Sequence, residues 1–288
     1  MLPNFFIVGA PKCGTTSLAR WLSEHPHVFF SKIKEPHYFS TDLSNRSVVS
    51  RKQYDRLFGG VTWAHRAVGE GSTWYLYSRD AVPAIERIIP NARYIVMTRE
   101  PVAMAHSLYH HNVRSLYEDQ PSFEQAWRLQ EERARGRLVP STCVEPTVLQ
   151  YQDVCSLGTL LQRLLDQVPA ERVLQVSLEA MQSDTRAEYM RVLKFLDVPD
   201  DERDEFPVAN EARRHRSRLL QRALTLGGKA RLALGLQKGL GLGRLNERPD
   251  PKEALSDEFR VELEDAFADE KALLARLTYE LNGVGGSG

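Results

Sequence analysis

The sequence has few cysteines, no long apolar run and no excess of either charge. Three cysteines in 288 residues are an odd number, which argues against a disulfide framework and indicates a reducing compartment. No run is long and apolar enough to cross a membrane, and no secretory signal precedes the first apolar run at Phe5. The 38 basic and 38 acidic residues cancel, so composition gives no argument for a nucleic acid partner. We therefore expect a cytoplasmic protein.

The rest of the composition is ordinary for a soluble globular protein. Hydrophobic residues make up 42% of the chain and charged residues 26%, which is enough for one substantial core. Short β-prone runs alternate with helical patterns, and this alternation is typical of an α/β fold with a mostly parallel central sheet flanked by helices. We predict a single domain over residues 1–282, followed by a flexible tail over 283–288.

The stretch from Asn4 to Glu24 predicts a strand, a tight loop and a helix. An apolar run ends at Gly9, a loop leads to Gly14, and apolar residues then recur at helical spacing. Such a loop directs backbone N–H groups toward one point, and the helix start adds unpaired donors and the positive end of its dipole. An anion site is therefore expected, with these candidate ligands: Lys12, Cys13, Gly14, Thr15, Thr16 and Ser17.

The loop has the glycine spacing of an ATPase P-loop but different residues. In the ATPase motif a lysine follows the second glycine, whereas here Thr15 follows Gly14 and Lys12 precedes it. The run from Pro11 to Thr16 resembles the 5′-phosphosulfate-binding loop of sulfotransferases that use 3′-phosphoadenylyl sulfate (PAPS). This resemblance implies a P-loop-like three-layer fold and PAPS as co-substrate. A P-loop kinase of a nucleotide or small molecule, acting on ATP with Mg²⁺, is the main alternative.

A second candidate site lies in the segment from Ser31 to Phe39, which holds a carboxylate among lysines and aromatic residues. Glu35 is our candidate general base, because neighbouring lysines would keep its carboxylate ionised. The run Lys-Glu-Pro-His-Tyr-Phe resembles a segment of bacterial and heparan-type carbohydrate sulfotransferases, whose glutamate acts as the base. His37 is the alternative base, but in an extended segment it would point away from Glu35. We assign Lys34 and His37 to acceptor binding.

A third motif follows the strand predicted from Arg93 to Thr98. An ATPase would place an aspartate for Mg²⁺ at this strand end, and the chain has Arg99 there instead. Arg99 followed eight residues later by Ser107 resembles the 3′-phosphate-binding motif of sulfotransferases. Arginine suits this role because it binds phosphate through two parallel N–H bonds.

Two further residues are assigned to acceptor binding, Ser72 and His110. Ser72 lies in a run that resembles the family's second strand and its turn, although Gly71 stands where related carbohydrate enzymes have a lysine. His110 lies with His106 on the helix after Arg99. Their spacing is that of metal ligands, but no acidic or cysteine partner is close in sequence, so we predict no metal site.

The last quarter of the sequence is basic and rich in glycine. Residues 211–248 contain ten lysines and arginines against two acids. This segment would be a loop over the phosphates, an acceptor-recognition surface, a membrane-surface contact or a solvated insertion. Arginines near 214–218 are candidates for the 3′-phosphate, since relatives use a basic loop there. A helix from Ser256 to Leu281 follows.

Together these motifs imply a sulfotransferase that uses PAPS and requires no metal. Glu35 would take a proton from an acceptor hydroxyl, and Lys12 would neutralise charge developing on the bridging oxygen of the leaving group. The acceptor would be a carbohydrate, a glycolipid or another hydroxyl-bearing natural product. Golgi members of the family carry an N-terminal anchor, so its absence suggests a bacterial enzyme or an excised domain. A catalytically silent carbohydrate- or membrane-binding relative is a further alternative.

Overall fold

The computed structural model describes residues 2–208, 213–215, 247–249 and 254–284. Its main sheet has five parallel strands in the order β2-β3-β1-β4-β5. These strands are β1 Phe5–Gly9, β2 Val28–Phe30, β3 Ala67–Gly71, β4 Arg93–Thr98 and β5 Val173–Ser177. Four of them were expected from β-prone runs in the sequence and β3 from the resemblance to the family's second strand, and the predicted α/β fold with a parallel sheet is confirmed.

Helices connect and cover the strands. In chain order they are α1 Thr15–Ser23, α2 Arg51–Arg56, α3 Ala81–Ile88, α4 Pro101–Arg114, α5 Phe123–Arg128, α6 Gln130–Ala134, α7 Tyr151–Cys155, α8 Leu157–Leu165, α9 Leu178–Ser183, α10 Thr185–Phe195, α11 Asp257–Ala266 and α12 Ala268–Val284. Short 3₁₀ turns lie at Pro146–Leu149 and Ala170–Arg172. Within the described part of the chain, no helix combines the length and apolarity that a membrane span requires.

The central strands are hydrophobic on both faces because helices cover both sides of the sheet. Phe5, Phe6, Ile7 and Val8 of β1 are fully buried. Successive residues of a strand point to opposite faces, so this continuous burial indicates a three-layer arrangement. The sheet thereby forms a rigid support on which the loops at its carboxyl edge are placed.

Two predicted helices are each divided in two. The charged amphipathic pattern from Ser122 to Arg137 predicts one helix, but the structure has a break between α5 and α6 at Leu129. After the break Arg133 pairs with Glu118 at 2.7 Å, with both side chains fully buried. The helix expected from Ser256 to Leu281 breaks at Phe267, whose buried ring lies 5.7 Å from that of Trp127. Its start is as predicted, because the Ser256 side chain accepts a hydrogen bond from the N–H of Phe259.

The basic segment 211–248 lies mostly outside the described residues. At its two ends, strands β6 Arg213–His215 and β7 Glu247–Pro249 form an antiparallel pair. The arginines expected near 214–218 to hold a phosphate fall partly on β6 and partly outside the described residues. The role of this segment stays a prediction.

Candidate functional site

The first motif forms a tight turn between β1 and α1. Lys12 and Gly14 have positive φ angles of 65° and 87°, and α1 begins directly afterwards at Thr15. A Cβ on Gly14 would lie 2.9 Å from Cδ1 of Leu178, so both the backbone conformation and the space require glycine. The loop therefore leads directly into the N-terminal end of α1, which is the positive end of the helix dipole.

A cavity of about 650 Å³ opens at the carboxyl edge of the sheet. Its walls come from the loops that follow all five parallel strands, which is where ligands bind in open α/β sheets. Most of the predicted site residues border it: Lys12, Gly14, Thr15, Thr16, Ser17, Lys34, Glu35, Arg99 and Ser107. Three motifs that are distant in sequence thus share one cavity.

The first and third motifs are in direct contact. Nη1 of Arg99 donates a hydrogen bond to the backbone oxygen of Lys12 at 3.2 Å. Ser107 lies on α4, two turns beyond Arg99, and is 8% exposed where it borders the cavity. The two predicted anion-binding motifs are therefore adjacent parts of one site.

Glu35 lies in the same cavity as a carboxylate held by two neighbours. Nζ of Lys34 is 2.5 Å from Oε1, and Nε2 of His37 is 3.6 Å from Oε2. Burial alone would raise the pKa of Glu35, but interactions with His37 and Lys34 outweigh burial and lower the pKa to about 2. The carboxylate is ionised at neutral pH, as a proton acceptor must be.

The expectation that His37 points away from Glu35 is wrong. That expectation assumed an extended segment, whereas Glu35 and His37 both have positive φ angles, 60° and 50°. Because of these two positive φ angles, the side chains do not alternate as they would in an extended strand. The side chains of Glu35 and His37 therefore lie on the same side of the segment. His37 is 4% exposed and does not border the cavity, so it contacts Glu35 from behind.

The structure does not place Cys13 and Ser72 where the predictions required. The Cys13 thiol is buried 3.7 Å from Sδ of Met104, so among its groups only the backbone can face an anion; burial also raises the pKa of this thiol. Ser72 is fully buried and donates its hydroxyl proton to Glu70 at 2.9 Å, away from the cavity. Thr73 and Trp74, the next residues in the chain, border the cavity instead.

His111 faces the cavity, and the predicted His110 does not. His110 points to a neighbouring side of α4, where its Nε2 lies 3.0 Å from that of His106. Helical periodicity from Ser107 predicts that His111 faces the cavity. Residues four and seven positions after Ser107 share its helix face, and these are His111 and Arg114. Burial, followed by the charges of Lys12 and Arg114, lowers the pKa of His111 to about 4, so its imidazole is neutral at pH 7.

Other lining residues carried no recognised sequence motif. One part of the wall is largely apolar and includes residues from α1, α9, α10 and the segment after α10. These are Trp21, Leu178, Met181, Gln182, Thr185, Phe206 and Val208. The rings of Trp21 and Phe206 meet edge to face with centroids 5.1 Å apart. The cavity thus combines a cationic, hydroxyl-rich side with an apolar, aromatic side.

The fold and this arrangement match known proteins. Residues 82–210 match the family model described as "Sulfotransferase domain". The crystal structure of a sulfotransferase from Alicyclobacillus acidocaldarius is 32% identical in sequence with a TM-score of 0.64, covering 85% of this chain and 99% of that chain. The chain belongs to the sulfotransferase family. Arg99 and Ser107 of this sulfotransferase lie inside the family match, whereas Lys12 and Glu35 precede it.

Curated relatives of this sulfotransferase match over shorter stretches. Human carbohydrate sulfotransferase 15 is 31% identical in an alignment over 150 residues that covers 38% of this chain and 27% of that protein. Membrane-associated sulfotransferase kil1 of Dictyostelium discoideum is 29% identical over 115 residues, 40% of this chain and 24% of that protein. Mouse heparan sulfate glucosamine 3-O-sulfotransferase 3B1 is 30% identical over 196 residues, 68% of this chain and 46% of that protein. This sulfotransferase therefore spans less than half the length of each.

Proposed function

We propose that this protein transfers the sulfuryl group of PAPS to a hydroxyl of a carbohydrate, glycolipid or natural-product acceptor. The products are an O-sulfate ester and adenosine 3′,5′-bisphosphate. The observation that carries the proposal is the convergence of Lys12, Glu35 and Arg99 on one cavity, with Arg99 bonded to the backbone of Lys12. Cations for a doubly phosphorylated donor and a carboxylate for an acceptor proton are thereby brought together.

The residues at the cavity fit the donor. The cavity volume of about 650 Å³ lies within the range usual for small-molecule sites. In our proposal the loop 11–17 binds the 5′-phosphosulfate, through backbone N–H groups and the hydroxyls of Thr15, Thr16 and Ser17. The first turn of α1 contains no acidic residue that would repel this anion. Arg99 and Ser107 bind the 3′-phosphate.

Glu35 acts as the general base. It accepts the proton of the acceptor hydroxyl as the acceptor oxygen forms a bond to sulfur and the bond from sulfur to the bridging phosphate oxygen breaks. Lys12 stabilises the negative charge that develops on this bridging oxygen. By analogy with phosphoryl transfer, the protein contributes mainly by positioning the reactants and by stabilising developing charge. A fixed cation and a positioned carboxylate provide these two contributions.

The carbohydrate class of acceptor is favoured by two observations. Glu35 lies in the run that resembles carbohydrate sulfotransferases, and the curated relatives include proteins named as carbohydrate and heparan sulfate sulfotransferases. Lys34 and His111 border the cavity beside Glu35, where they are available to bind acceptor hydroxyls. Incubation with mass-tagged PAPS and a panel of sugars, glycolipids and other alcohols identifies the acceptor.

A comparison of ligands tests the donor. We expect adenosine 3′,5′-bisphosphate to raise the melting temperature without added Mg²⁺, because an arginine stands at the end of β4 where an ATPase carries its metal-binding aspartate. Arg99→Ala should weaken this binding about 10- to 100-fold, since a hydrogen bond to a charged group contributes about 1.5–3 kcal/mol. Arg137→Ala, at an exposed arginine far along the chain, is the control. A preference for ATP with Mg²⁺ would contradict the assignment of PAPS as the donor and favour the kinase alternative.

A further inference from the structure

Glu70 is completely buried and surrounded by hydroxyl groups. It lies behind residues 35–39, which carry the proposed base Glu35 and are called the catalytic segment below. Tyr54 and Tyr75 each donate a hydrogen bond to Oε1 of Glu70 at 2.9 Å, and Ser72 donates to Oε2 at 2.9 Å. None of these residues borders the main cavity. A carboxyl group in such a place is costly unless it is hydrogen bonded, and it has no route to a ligand. Its function must therefore be sought in what its partners contact.

Two of the three hydroxyls accept hydrogen bonds from the segment that carries Glu35. The N–H of His37 donates to Oγ of Ser72 at 3.0 Å, and the N–H of Phe39 donates to the hydroxyl of Tyr75 at 3.2 Å. The N–H of Glu35 donates to the backbone oxygen of Gly71 at 2.9 Å. Alternate residues of this segment are thus fixed to the end of β3 and the turn behind it. The ladder between β2 and β3 is continued by side chains where the strands have ended.

Glu70 determines how these hydroxyls are oriented. A hydroxyl has one proton, and when that proton is donated to Glu70 its lone pairs face the opposite direction, toward the catalytic segment. Without the carboxylate the same hydroxyls would be free to rotate, and each could present its proton to the N–H group instead of a lone pair. The two hydrogen bonds to the segment therefore depend on Glu70.

The catalytic segment needs such support because its backbone is strained. Positive φ angles at Glu35 and His37 are unfavourable for residues other than glycine and persist only when surrounding contacts enforce them. The carboxylate of Glu35 projects from the first of these two residues. A relaxation of the backbone here would turn the carboxylate out of its place in the cavity.

We propose that Glu70 is a positioning residue that acts through Ser72 and Tyr75 to hold residues 35–39 in the conformation that directs Glu35 into the cavity. The proposal rests on the proposed function of Glu35 as the base. It gives Ser72 a role in place of the acceptor contact predicted from the sequence. Glu70 acts on the reaction through geometry and makes no contact with donor or acceptor.

Two tyrosines provide a matched pair of variants. Tyr54 and Tyr75 both donate to Oε1 of Glu70, but of these two hydroxyls only that of Tyr75 accepts an N–H group from the segment 35–39 in the described structure. Tyr75→Phe removes a hydroxyl that joins Glu70 to the segment, and Tyr54→Phe removes one that does not. Ser72→Ala and Ser72→Thr make a second pair, in which threonine retains the hydroxyl.

Hydrogen exchange of the backbone amides of Glu35, His37, Tyr38 and Phe39, measured without donor or acceptor, tests the positioning. We expect exchange to be about 5- to 10-fold faster in Tyr75→Phe and Ser72→Ala, as loss of one hydrogen bond predicts, and within about 2-fold of wild type in Tyr54→Phe and Ser72→Thr. Glu70→Met, which removes both acceptor oxygens but keeps a long side chain, should accelerate exchange at both His37 and Phe39. Equal effects of Tyr75→Phe and Tyr54→Phe would overturn the proposal, since general destabilisation would then explain both.

Steady-state kinetics test the consequence for catalysis. In Tyr75→Phe and Ser72→Ala we expect kcat to fall about 10- to 100-fold, because small misplacement of a catalytic group has effects of this size, with affinity for adenosine 3′,5′-bisphosphate unchanged. Faster exchange with an unchanged kcat would overturn the link between Glu70 and catalysis. A wild-type protein that transfers no sulfuryl group would instead refute the proposed function, and the exchange measurement would still decide whether Glu70 fixes the segment.

Discussion

Glu35 owes its charge to residues of its own segment. Lys34 precedes it in the chain and His37 follows two positions later, and both face the carboxylate because of the positive φ angles at Glu35 and His37. A low pKa keeps the group ionised but also makes it a weak base in the free protein. The lysine and histidine therefore fix the carboxylate's position and protonation state together.

Replacement of Glu35 by glutamine removes the proposed base while keeping the shape of the side chain. We expect sulfuryl transfer to fall by about 100- to 10,000-fold, the range typical of general base catalysis, with no change in the affinity for adenosine 3′,5′-bisphosphate. Rates and affinities are measured on the same preparations. Glu131→Gln, at an exposed glutamate on α6, should leave both unchanged. Full activity in Glu35→Gln would remove Glu35 from the mechanism.

Removal of the Lys34 charge should change the pH dependence of the reaction. The lowered pKa of Glu35 means that wild type loses the ionised base only as pH falls toward about 2. In Lys34→Met only His37 opposes the effect of burial on Glu35, so the pKa of Glu35 rises. As the pH falls, this variant therefore loses activity at a higher pH than wild type does. We expect the ratio of kcat/KM at about pH 5 to that at about pH 8 to fall in this variant. Lys32→Met, at the exposed lysine two residues earlier, should keep the wild-type ratio.

The pKa of Glu70 is shifted in the opposite direction to that of Glu35, and this shift makes the stability of the fold depend on pH. Burial raises its pKa from 4.5 to about 7, and the hydrogen bonds from Ser72, Tyr54 and Tyr75 oppose this rise. Between these pH values the folded protein holds a proton that the unfolded chain releases, so the contribution of Glu70 to stability falls as pH rises through this window. The full loss is on the order of 3 kcal/mol.

Urea unfolding at about pH 5 and about pH 8 measures this contribution. Glu70→Gln has no proton to lose, so the stability of wild type relative to the variant should be greater at the lower pH. A difference that is the same at both pH values would show that the pKa of Glu70 is not raised by folding. Glu131→Gln again serves as the control for loss of an acidic side chain.

At the scale of elements, the sequence predicts strands and helices well where local signals determine them. Apolar and β-prone runs predict four of the five parallel strands, whereas β3, with the sequence AVGEG, was expected only from the family resemblance. Ser256 marks the start of α11 through its side-chain cap. The breaks at Leu129 and Phe267 were missed because they accompany tertiary contacts: the buried pair of Arg133 with Glu118 and the packing of Phe267 against Trp127. Neither contact leaves a local signal.

The same distinction holds within the site. The loop 11–17 and the pair Arg99 and Ser107 were recognisable as candidates because each is a local motif of fixed spacing that begins where a strand ends. His111 was also within reach, since it lies one helical turn beyond Ser107. The burial of Ser72 was not, because it depends on the fully buried Glu70, whose position at the end of β3 becomes evident only from the folded structure.

Substitution of Gly14 tests how closely α1 must approach α9. Gly14→Ala places a Cβ in a residue with φ of 87° and 2.9 Å from Cδ1 of Leu178, so we expect both strain and a steric clash. Gly136→Ala is a matched control, because Gly136 has φ of 75° but no atom within 4 Å of an added Cβ. The control should lose about 1–2 kcal/mol from strain alone, as measured by urea unfolding.

Gly14→Ala should lose more stability than its control and should also weaken binding of adenosine 3′,5′-bisphosphate. The second effect follows because the added methyl group displaces the turn that begins α1, and with it the N–H groups proposed to bind the 5′ anion. Equal losses of stability in the two variants, with unchanged binding in Gly14→Ala, would mean that α9 yields without disturbing the loop.

At the scale of the whole molecule, a parallel sheet brings distant parts of the chain to one edge. Loops after all five parallel strands meet at the cavity, so residues that are distant in sequence form one site. Lys12 and Arg99, for example, are 87 residues apart and in direct contact. The central claim is that these two motifs bind the two ends of one doubly phosphorylated adenosine donor.

A crystal structure of the complex with adenosine 3′,5′-bisphosphate tests this claim most directly. The account predicts that the 5′-phosphate lies against the loop 11–17 with Lys12 beside it, and that Arg99 and Ser107 contact the 3′-phosphate. A complex in which Arg99 is remote from the ribose phosphate, or in which Lys12 faces away from the 5′ end, would contradict it.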